Sequence, residues 1–478
     1  IDNAEGKQKI IIELYDKFFK TAFPKMVERL GIVYTPVEVV DFILHSVDDI
    51  LNQEFGRRLT DENVHVLDPF TGTGTFITRL LQSGLIKDKD LQRKYTQELH
   101  ANEIVLLAYY IAAVNIENVY HDLLGEGEDY QTFEGVCLTD TFQLNETEVN
   151  EQLFSEMFPK NSVRVVAQKK APIKVIIGNP PYSVGQKSAN DNASNQEYPI
   201  LDAKIADTYV AKSITTMNKA NYDAYIKAFR WSSDRINKDG GIVAFVSNGS
   251  WLDGNTTSGF RKCVEDEFSS IYVFNLRGNQ RTSGELSRQE GGKIFGSGSR
   301  TPISITLLIK NPNANADKAK IHYKDIGDYL SREEKLKIVD DFGKITNPDM
   351  KLQTIKPNKE GDWINQRNEA FENFILISDK LKNEPCFFNF NTNGVVTTRD
   401  SWVFNSSMEK LSSNIGLMTD FYNKETKRYE SEYSTNNTIS IEDFVSKDPK
   451  KIKWAKNLYR DSENGVLHSF KADNIIPV

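Results

Sequence analysis

The sequence predicts an α/β fold built on a doubly wound, mostly parallel sheet, and three observations carry that reading. Short runs rich in β-branched residues, such as Lys174–Gly178 and Gly240–Ser247, recur along the first two-thirds of the chain. Parallel strands covered on both faces have that texture. Patterns with one apolar helical face separate the runs. Several runs also end in a carboxylate or an amide, and ligands of open α/β sheets bind at the carboxyl ends of the strands.

Composition narrows the class without naming a chemistry. At 478 residues the chain has room for two or three domains, with 39% hydrophobic and 26% charged residues as in ordinary globular proteins. No apolar run approaches the ~20 residues of a membrane span, and no signal peptide opens the chain. Cys137, Cys263 and Cys386 are too scattered for a disulfide framework or a zinc site, which fits a reducing cytoplasm; no metal is expected. A net charge of −8 argues against a uniformly basic nucleic-acid binder but leaves room for a local basic cleft. Because it opens on Ile1 rather than a methionine, the chain reads as a fragment or a processed product.

Taken in order, residues 7–30 form a helical pattern, with Ile11, Leu14, Tyr15 and Phe18 on one face. After Tyr34, Thr35 suits a helix N-cap, Pro36 the first helical position, and Glu38 a capping box. A plain helix start accounts for these residues; a helix N-terminus that holds a carboxylate also would. Val64–Leu67 then reads as a strand ending in Asp68, followed by Pro69-Phe70-Thr71-Gly72-Thr73-Gly74 and a helix. The two glycines let backbone pass close beneath a ligand, yet the Lys-Ser/Thr of a phosphate loop and the third glycine of a dinucleotide fingerprint are both missing. An acid ahead of the glycines suits a ligand bearing an ammonium group.

Gln97–Glu103 reads as the second strand and turn, with Ile104 opening the next helical pattern. Glu103 stands where such a sheet places an acid for ribose hydroxyls, and a solvated carboxylate is the simpler alternative. Gly135–Asp140 is the third strand, followed by Thr141 and Phe142; Asp140 is placed to accept from a purine amino group, with Phe142 against the ring. The fourth strand leads into Asn179-Pro180-Pro181-Tyr182, Gly240–Ser247 is the fifth, Ile271–Leu276 the sixth, and Ile303–Ile309 the seventh. Between the last two, Arg277–Arg300 is glycine-rich and basic, as suits backbone phosphates or simply a solvated loop. Beyond Asn311 the chain turns polar, with Trp402, Phe404, Trp454 and Tyr459 interleaved with charge.

The Asn-Pro-Pro-Tyr stretch permits a narrow chemistry, although it is also a turn sequence. The amide oxygen of Asn179 and a carbonyl held by the prolines can accept both N–H bonds of a ring amine, with Tyr182 as a stacking face. Those acceptors draw the lone pair out of conjugation and aim it at an electrophile such as a sulfonium methyl donor. Positioning of that kind is worth ~7–11 kcal/mol.

Tyr34-Thr-Pro36, Asp68-Pro-Phe-Thr-Gly-Thr-Gly74, Asn102-Glu103, Thr139-Asp140 and Asn179-Pro-Pro-Tyr182, in that order, resemble the gamma-type DNA adenine-N6 methyltransferases. Ala101-Asn-Glu-Ile-Val-Leu-Leu, Tyr182-Ser-Val-Gly-Gln, Ala228-Phe-Arg-Trp-Ser and Arg399-Asp-Ser-Trp-Val-Phe404 bring the likeness closer to the methyltransferase region of type ISP restriction-modification enzymes, over roughly residues 7 to 470. The resemblance implies a seven-stranded methyltransferase sheet and S-adenosylmethionine as methyl donor. Tyr34, Thr35, Pro36, Asp68, Phe70, Thr71, Gly72 and Gly74 would hold the amino-acid and sulfonium part, Glu103 and Ile104 the ribose side, and Asp140, Thr141 and Phe142 the adenine. Many relatives place an aromatic directly after the third-strand acid, where this chain has Thr141 before Phe142.

Asn179, Pro180 and Pro181 would hold the target N6, while Tyr182 and Phe295 would stack on a base flipped out of double-stranded DNA. Residues 1–30 would be the end of a helical coupler, 31–311 the methyltransferase domain, and 312–478 a linker and the start of a target-recognition domain. The nuclease and helicase-like motor of the same parent polypeptide would be partners, and no Walker A sequence occurs here. Asn-Pro-Pro-Tyr also occurs in enzymes that methylate a protein glutamine amide, and a silent DNA-binding regulatory domain is the non-enzymatic rival.

Overall fold

The structure, a computed structural model, describes residues 35–125, 129–146, 159–181, 198–215, 218–295, 300–314, 317–368, 370, 373–378, 385–388, 399–433 and 440–471. The helical segment expected over 7–30, Tyr34 and Tyr182 lie outside them.

A nine-stranded sheet organises the first compact unit, with β1 His65–Asp68, β2 Leu99–Glu103, β3 Val136–Leu138, β4 Ile173–Gly178, β5 Gly241–Asn248, β6 Ser270–Arg277, β7 Ile303–Lys310, β8 Lys320–Asp325 and β9 Gln353–Ile355 in the spatial order β3-β2-β1-β4-β5-β7-β6-β8-β9. Strands β1 to β5 pair in parallel, β7 runs antiparallel between β5 and β6, β8 is parallel to β6, and β9 is antiparallel to β8. The order reverses at β1/β4, the crevice where a doubly wound sheet binds its ligand.

Alternation along the strands distributes the core over both faces. Ile242, Ala244 and Val246 join one apolar layer with helix α1 (Val37–Phe55) and helix α2 (Thr75–Gln82). Val243 and Phe245 join the other, with Phe229 and Trp231 of helix α4 (Ala224–Arg235), which follows helix α3 (Leu106–Leu124) in the chain. Fully buried Val/Ile/Leu side chains on both faces explain why these strands read as continuous apolar runs.

Three expectations change. The sheet has nine strands rather than seven, because 320–355 adds β8, helix α5 (Arg332–Phe342) and β9, all within the compact unit that runs to Asn368. Residues Gln97 and Glu98 close a helical turn, and β2 begins at Leu99. Thr35 does not cap α1: Pro36 is the N-cap, no side-chain cap bond forms, and the Thr35 hydroxyl serves a distant residue instead.

The second unit, Glu369–Val478, contains helix α6 (Met408–Tyr433) and helix α7 (Lys456–Glu463). Its described core comprises two small clusters, Tyr422, Ile452 and Leu458 in one and Tyr429, Ile441 and Val445 in the other, with Trp454 packed against both. Trp454 stacks on Tyr459 with centroids 5.1 Å apart and donates its indole N–H to Ser446 O at 2.9 Å, so its ring serves packing here. Phe404 is exposed.

Candidate active site

Strand register brings the acids together. Asp68 pairs with Ala101, Glu103 with Leu138, and Leu67 with Ile176, so the ends of β3, β2, β1 and β4 lie side by side. Asp68 is fully buried: Phe70 N donates to its Oδ1 at 3.1 Å, while Oδ2 has no hydrogen-bond partner among the described residues. Burial, aided by the neighbouring Glu103 carboxylate, pushes the Asp68 carboxyl up to about 8. A buried acceptor left unpaired is costly, which marks it for a donor from a ligand. Gly178 on β4 comes close enough that a Cβ there would lie 2.8 Å from Asp68 Oδ1.

The glycine turn after β1 is shaped by close approach. Gly72 and Gly74 have φ of 57° and 86°, and a Cβ on Gly74 would press at 3.3 Å against Ala112 of α3. Thr71 N donates to Asn102 O at 3.0 Å, and Thr71 Oγ1 donates to Asp68 O at 2.8 Å. Asn115 of α3, which the sequence reading did not single out, donates its Nδ2 to Thr73 O at 2.9 Å and buttresses the turn.

Glu103 accepts from Gly72 N and Val105 N, each at 2.8 Å, and burial raises it to about 7. Beside it, the Ile104 side chain is 52% exposed at the end of β2. Asp140 accepts from Phe142 N at 3.0 Å through Oδ1 and from the Tyr198 hydroxyl at 2.8 Å through Oδ2. Burial raises its carboxyl, and the bond from Tyr198 opposes the rise. Thr141 turns inward, donating Oγ1 to Pro69 O at 2.6 Å and accepting from Asn102 Nδ2 at 3.2 Å, so it ties the β1 and β2 ends to the turn after β3. Phe142 then meets Phe70, with centroids 5.5 Å apart.

At the end of β4, Asn179 Nδ2 donates to Thr35 Oγ1 at 3.0 Å; Thr35 and Pro180 are buried, and Pro36 and Pro181 stand beside them in the chain. Because Nδ2 is the donor, Oδ1 is the acceptor end of the amide. Phe295, expected to stack on a base, is 2% exposed and belongs to the core layer with Ile294. Its ring would have to leave that packing to meet a ligand. The loop before it is braced from α5: Lys335 Nζ donates to Glu290 O at 2.7 Å and Gly292 O at 2.9 Å, and Arg332 Nε donates to Ile294 O at 2.9 Å. Among the described residues, no group of three or more His, Cys, Asp or Glu side chains is placed to hold a metal ion, and no helix is long and apolar enough to cross a membrane.

Residues 84–280 match the Eco57I restriction-modification methylase family, and residues 386–478 match the Type ISP C-terminal specificity domain. No curated protein matches. Among solved structures, the chain is 48% identical to a nuclease-deletion mutant of the Type ISP restriction-modification enzyme LlaGI in complex with a DNA substrate mimic; the match covers 99% of this chain and 37% of that one, with a TM-score of 0.87. The ATP-dependent Type ISP enzyme LlaBIII bound to DNA gives 43% identity over 98% of this chain and 31% of its own, with a TM-score of 0.86. DrdV, solved in a complex with DNA, gives 34% identity over 100% of this chain and 45% of its own, with a TM-score of 0.85. The chain thus spans less than half the length of each of these relatives. It belongs with the Type ISP restriction-modification enzymes, as a region that joins an Eco57I-type methylase to their C-terminal specificity domain.

Proposed function

We propose that this chain transfers a methyl group from S-adenosylmethionine to N6 of an adenine flipped out of double-stranded DNA. The reading rests above all on one juxtaposition: the buried Asp68 carboxylate, whose Oδ2 is unpaired among the described residues, lies beside the β4 end that delivers Asn179, with Glu103 and Asp140 on the adjoining strand ends. The donor set fits the cofactor. An ammonium would satisfy Asp68 Oδ2, ribose hydroxyls suit Glu103, an adenine amine suits Asp140, and the open side of Gly72 leaves room for the ligand, while Gly74 lets the turn pack against α3.

When bound, S-adenosylmethionine supplies an electrophilic methyl group. The chain's own part is acceptor placement. Asn179 Oδ1, turned by the Nδ2 bond to Thr35, and the backbone carbonyl of Pro180 would take the two N–H bonds of the target amine. The amine lone pair then lies out of the ring plane without a strong base. As the methyl group's bond to sulfur gives way to one with N6, a neutral thioether would be left, and the N6 proton held by Asn179 Oδ1 or the Pro180 carbonyl would pass to solvent. Tyr182 is our candidate for stacking on the flipped base, whose extrusion costs about a few kcal/mol. We assign the reading of DNA sequence to the region matching the specificity domain. The DNA in the complexes of LlaGI, LlaBIII and DrdV supports DNA as substrate over a protein glutamine. Nuclease and motor partners would belong to the rest of a parent polypeptide.

Nucleoside mass spectrometry of unmethylated plasmid incubated with S-adenosylmethionine and this chain tests the proposal. N6-methyladenine should accumulate, and an Asn179→Ala variant should form none while still binding the cofactor. Undiminished methylation by that variant would overturn the mechanism, and methyl groups found only on cytosine would overturn the target.

A further inference from the structure

One side chain in this site was invisible as a functional residue in the sequence. Tyr198 lies in a polar stretch, yet its hydroxyl meets Asp140 Oδ2 at 2.8 Å. It is held there from several sides. Its ring meets the edge of Phe142 with centroids 5.3 Å apart, and Lys227 Nζ sits 4.9 Å from its ring centre. Lys227 is in turn paired with Asp202 at 2.6 Å. The Glu146 carboxylate, a few residues beyond Asp140, accepts from Ile200 N at 2.9 Å and Leu201 N at 3.0 Å, which pins the chain directly after Tyr198. The turn after β3 and the segment at Tyr198 are thus tied together twice, once through each acid.

The consequence falls on Asp140. Phe142 N fixes one carboxylate oxygen and the Tyr198 hydroxyl fixes the other, so the group cannot rotate. Each oxygen has two lone pairs, and Oδ2 therefore keeps capacity for a second donor. An ionised carboxylate is acceptor-only: it attracts a purine amine at the 6-position and repels a carbonyl there. A carboxyl free to turn or take up a proton would lose that discrimination.

We propose that Tyr198 is a positioning residue that makes Asp140 selective for a purine bearing an exocyclic amine. This rests on the reading of Asp140 as the acceptor for the cofactor's adenine, and it adds a residue that sets the selectivity of that contact. Tyr198→Phe removes only the hydroxyl and keeps the ring against Phe142, so it spares the packing.

The test is calorimetric titration of the full chain with S-adenosyl-L-homocysteine and with S-inosyl-L-homocysteine, which carries a 6-oxo group instead of the amine. The unaltered chain should prefer the adenosyl compound. In Tyr198→Phe the affinity for that compound should fall about tenfold, the scale of a lost hydrogen bond to a charged group, while the inosyl compound changes little. Asp140→Asn should also collapse the ratio, and adding Tyr198→Phe to it should cost nothing more, as expected of two groups acting through one contact. An unchanged ratio in Tyr198→Phe, or an equal loss for both compounds, would overturn the proposal. Binding of both compounds without preference by the unaltered chain would remove the Asp140–adenine contact itself, and binding of neither would remove the cofactor reading.

Discussion

Asn179 and Thr35, 144 residues apart in sequence, meet through a 3.0 Å bond from the asparagine amide to the threonine hydroxyl. That bond decides which end of the amide faces the place where an amine would react. Thr35→Ala should therefore lower the single-turnover methylation rate by roughly ten- to a hundredfold, the scale of a misplaced reacting group. Thr35→Ser should restore most of it, and cofactor affinity should change far less than the rate. Rapid-quench methylation with labelled cofactor, run beside calorimetry, separates the two effects.

Gly178→Ala tests the packing of β4 against β1. The new Cβ would meet Asp68 Oδ1 at 2.8 Å, against a carboxylate fixed by Phe70 N rather than a flexible side-chain tip. Overpacking of this kind costs about 1–3 kcal/mol. Thermal unfolding should show a lowered midpoint, and calorimetry a loss of cofactor binding larger than any fall in DNA affinity.

The buried acids make stability depend on pH with a sign opposite to that of an ion-paired carboxylate. An unfolded chain releases these protons near pH 4. Burial lets the folded chain hold them to about 7 at Glu103 and about 8 at Asp68. Between those limits the folded state binds more protons than the unfolded one, so the pair's contribution to stability falls as pH rises. Asp68→Asn should gain on the unaltered protein between pH 5 and pH 8 in urea unfolding without cofactor. A cation bound at Asp68 would expel its proton, so cofactor binding near pH 7 should release protons, measurable in buffers of different ionisation enthalpy.

Lys335 braces the basic loop from below through Glu290 O and Gly292 O, and burial lowers its ammonium to about 8. Lys335→Met should take the side-chain donor from Gly292 O, at about 1–3 kcal/mol, while Glu290 O keeps its bond from Gly278 N at 3.1 Å. Fluorescence anisotropy should show weaker binding of duplex DNA, with cofactor affinity unchanged. Equal DNA binding would separate this loop from the DNA contact.

What the sequence disclosed and what it withheld follow from how far each signal reaches. Strands such as Val175–Ile177 and Ile242–Val246 announce themselves because burial on both faces demands uninterrupted apolar residues. Strand β8 did not: only Ile321 and Tyr323 of Lys320–Asp325 are buried, and the rest carry charge or polarity, as befits a strand near a sheet edge. Asp68 and Glu103 were legible because each ends its own strand. Tyr198 and Asn115 were not, since a polar residue in a loop or a helix gives no local sign of a partner some 42 or 58 residues away. Thr35 looked like a cap on local chemistry, and a long-range donor claimed its hydroxyl.

The antiparallel strand β7 has a consequence for how the chain is made. It sits between β5 and β6, yet it follows β6 in sequence. A ribosome that has released residues only to about 250 has supplied the whole β3-β2-β1-β4-β5 half, while the outer edge of β5 still lacks its neighbour. Until Ile303–Lys310 emerges, some fifty residues later, that edge offers eight buried-type residues, Gly241–Asn248, with unpaired backbone groups to any other extended segment. Slow translation through this interval would expose the nascent protein to aggregation at one defined strand, and chaperones that cover apolar edges would be engaged there.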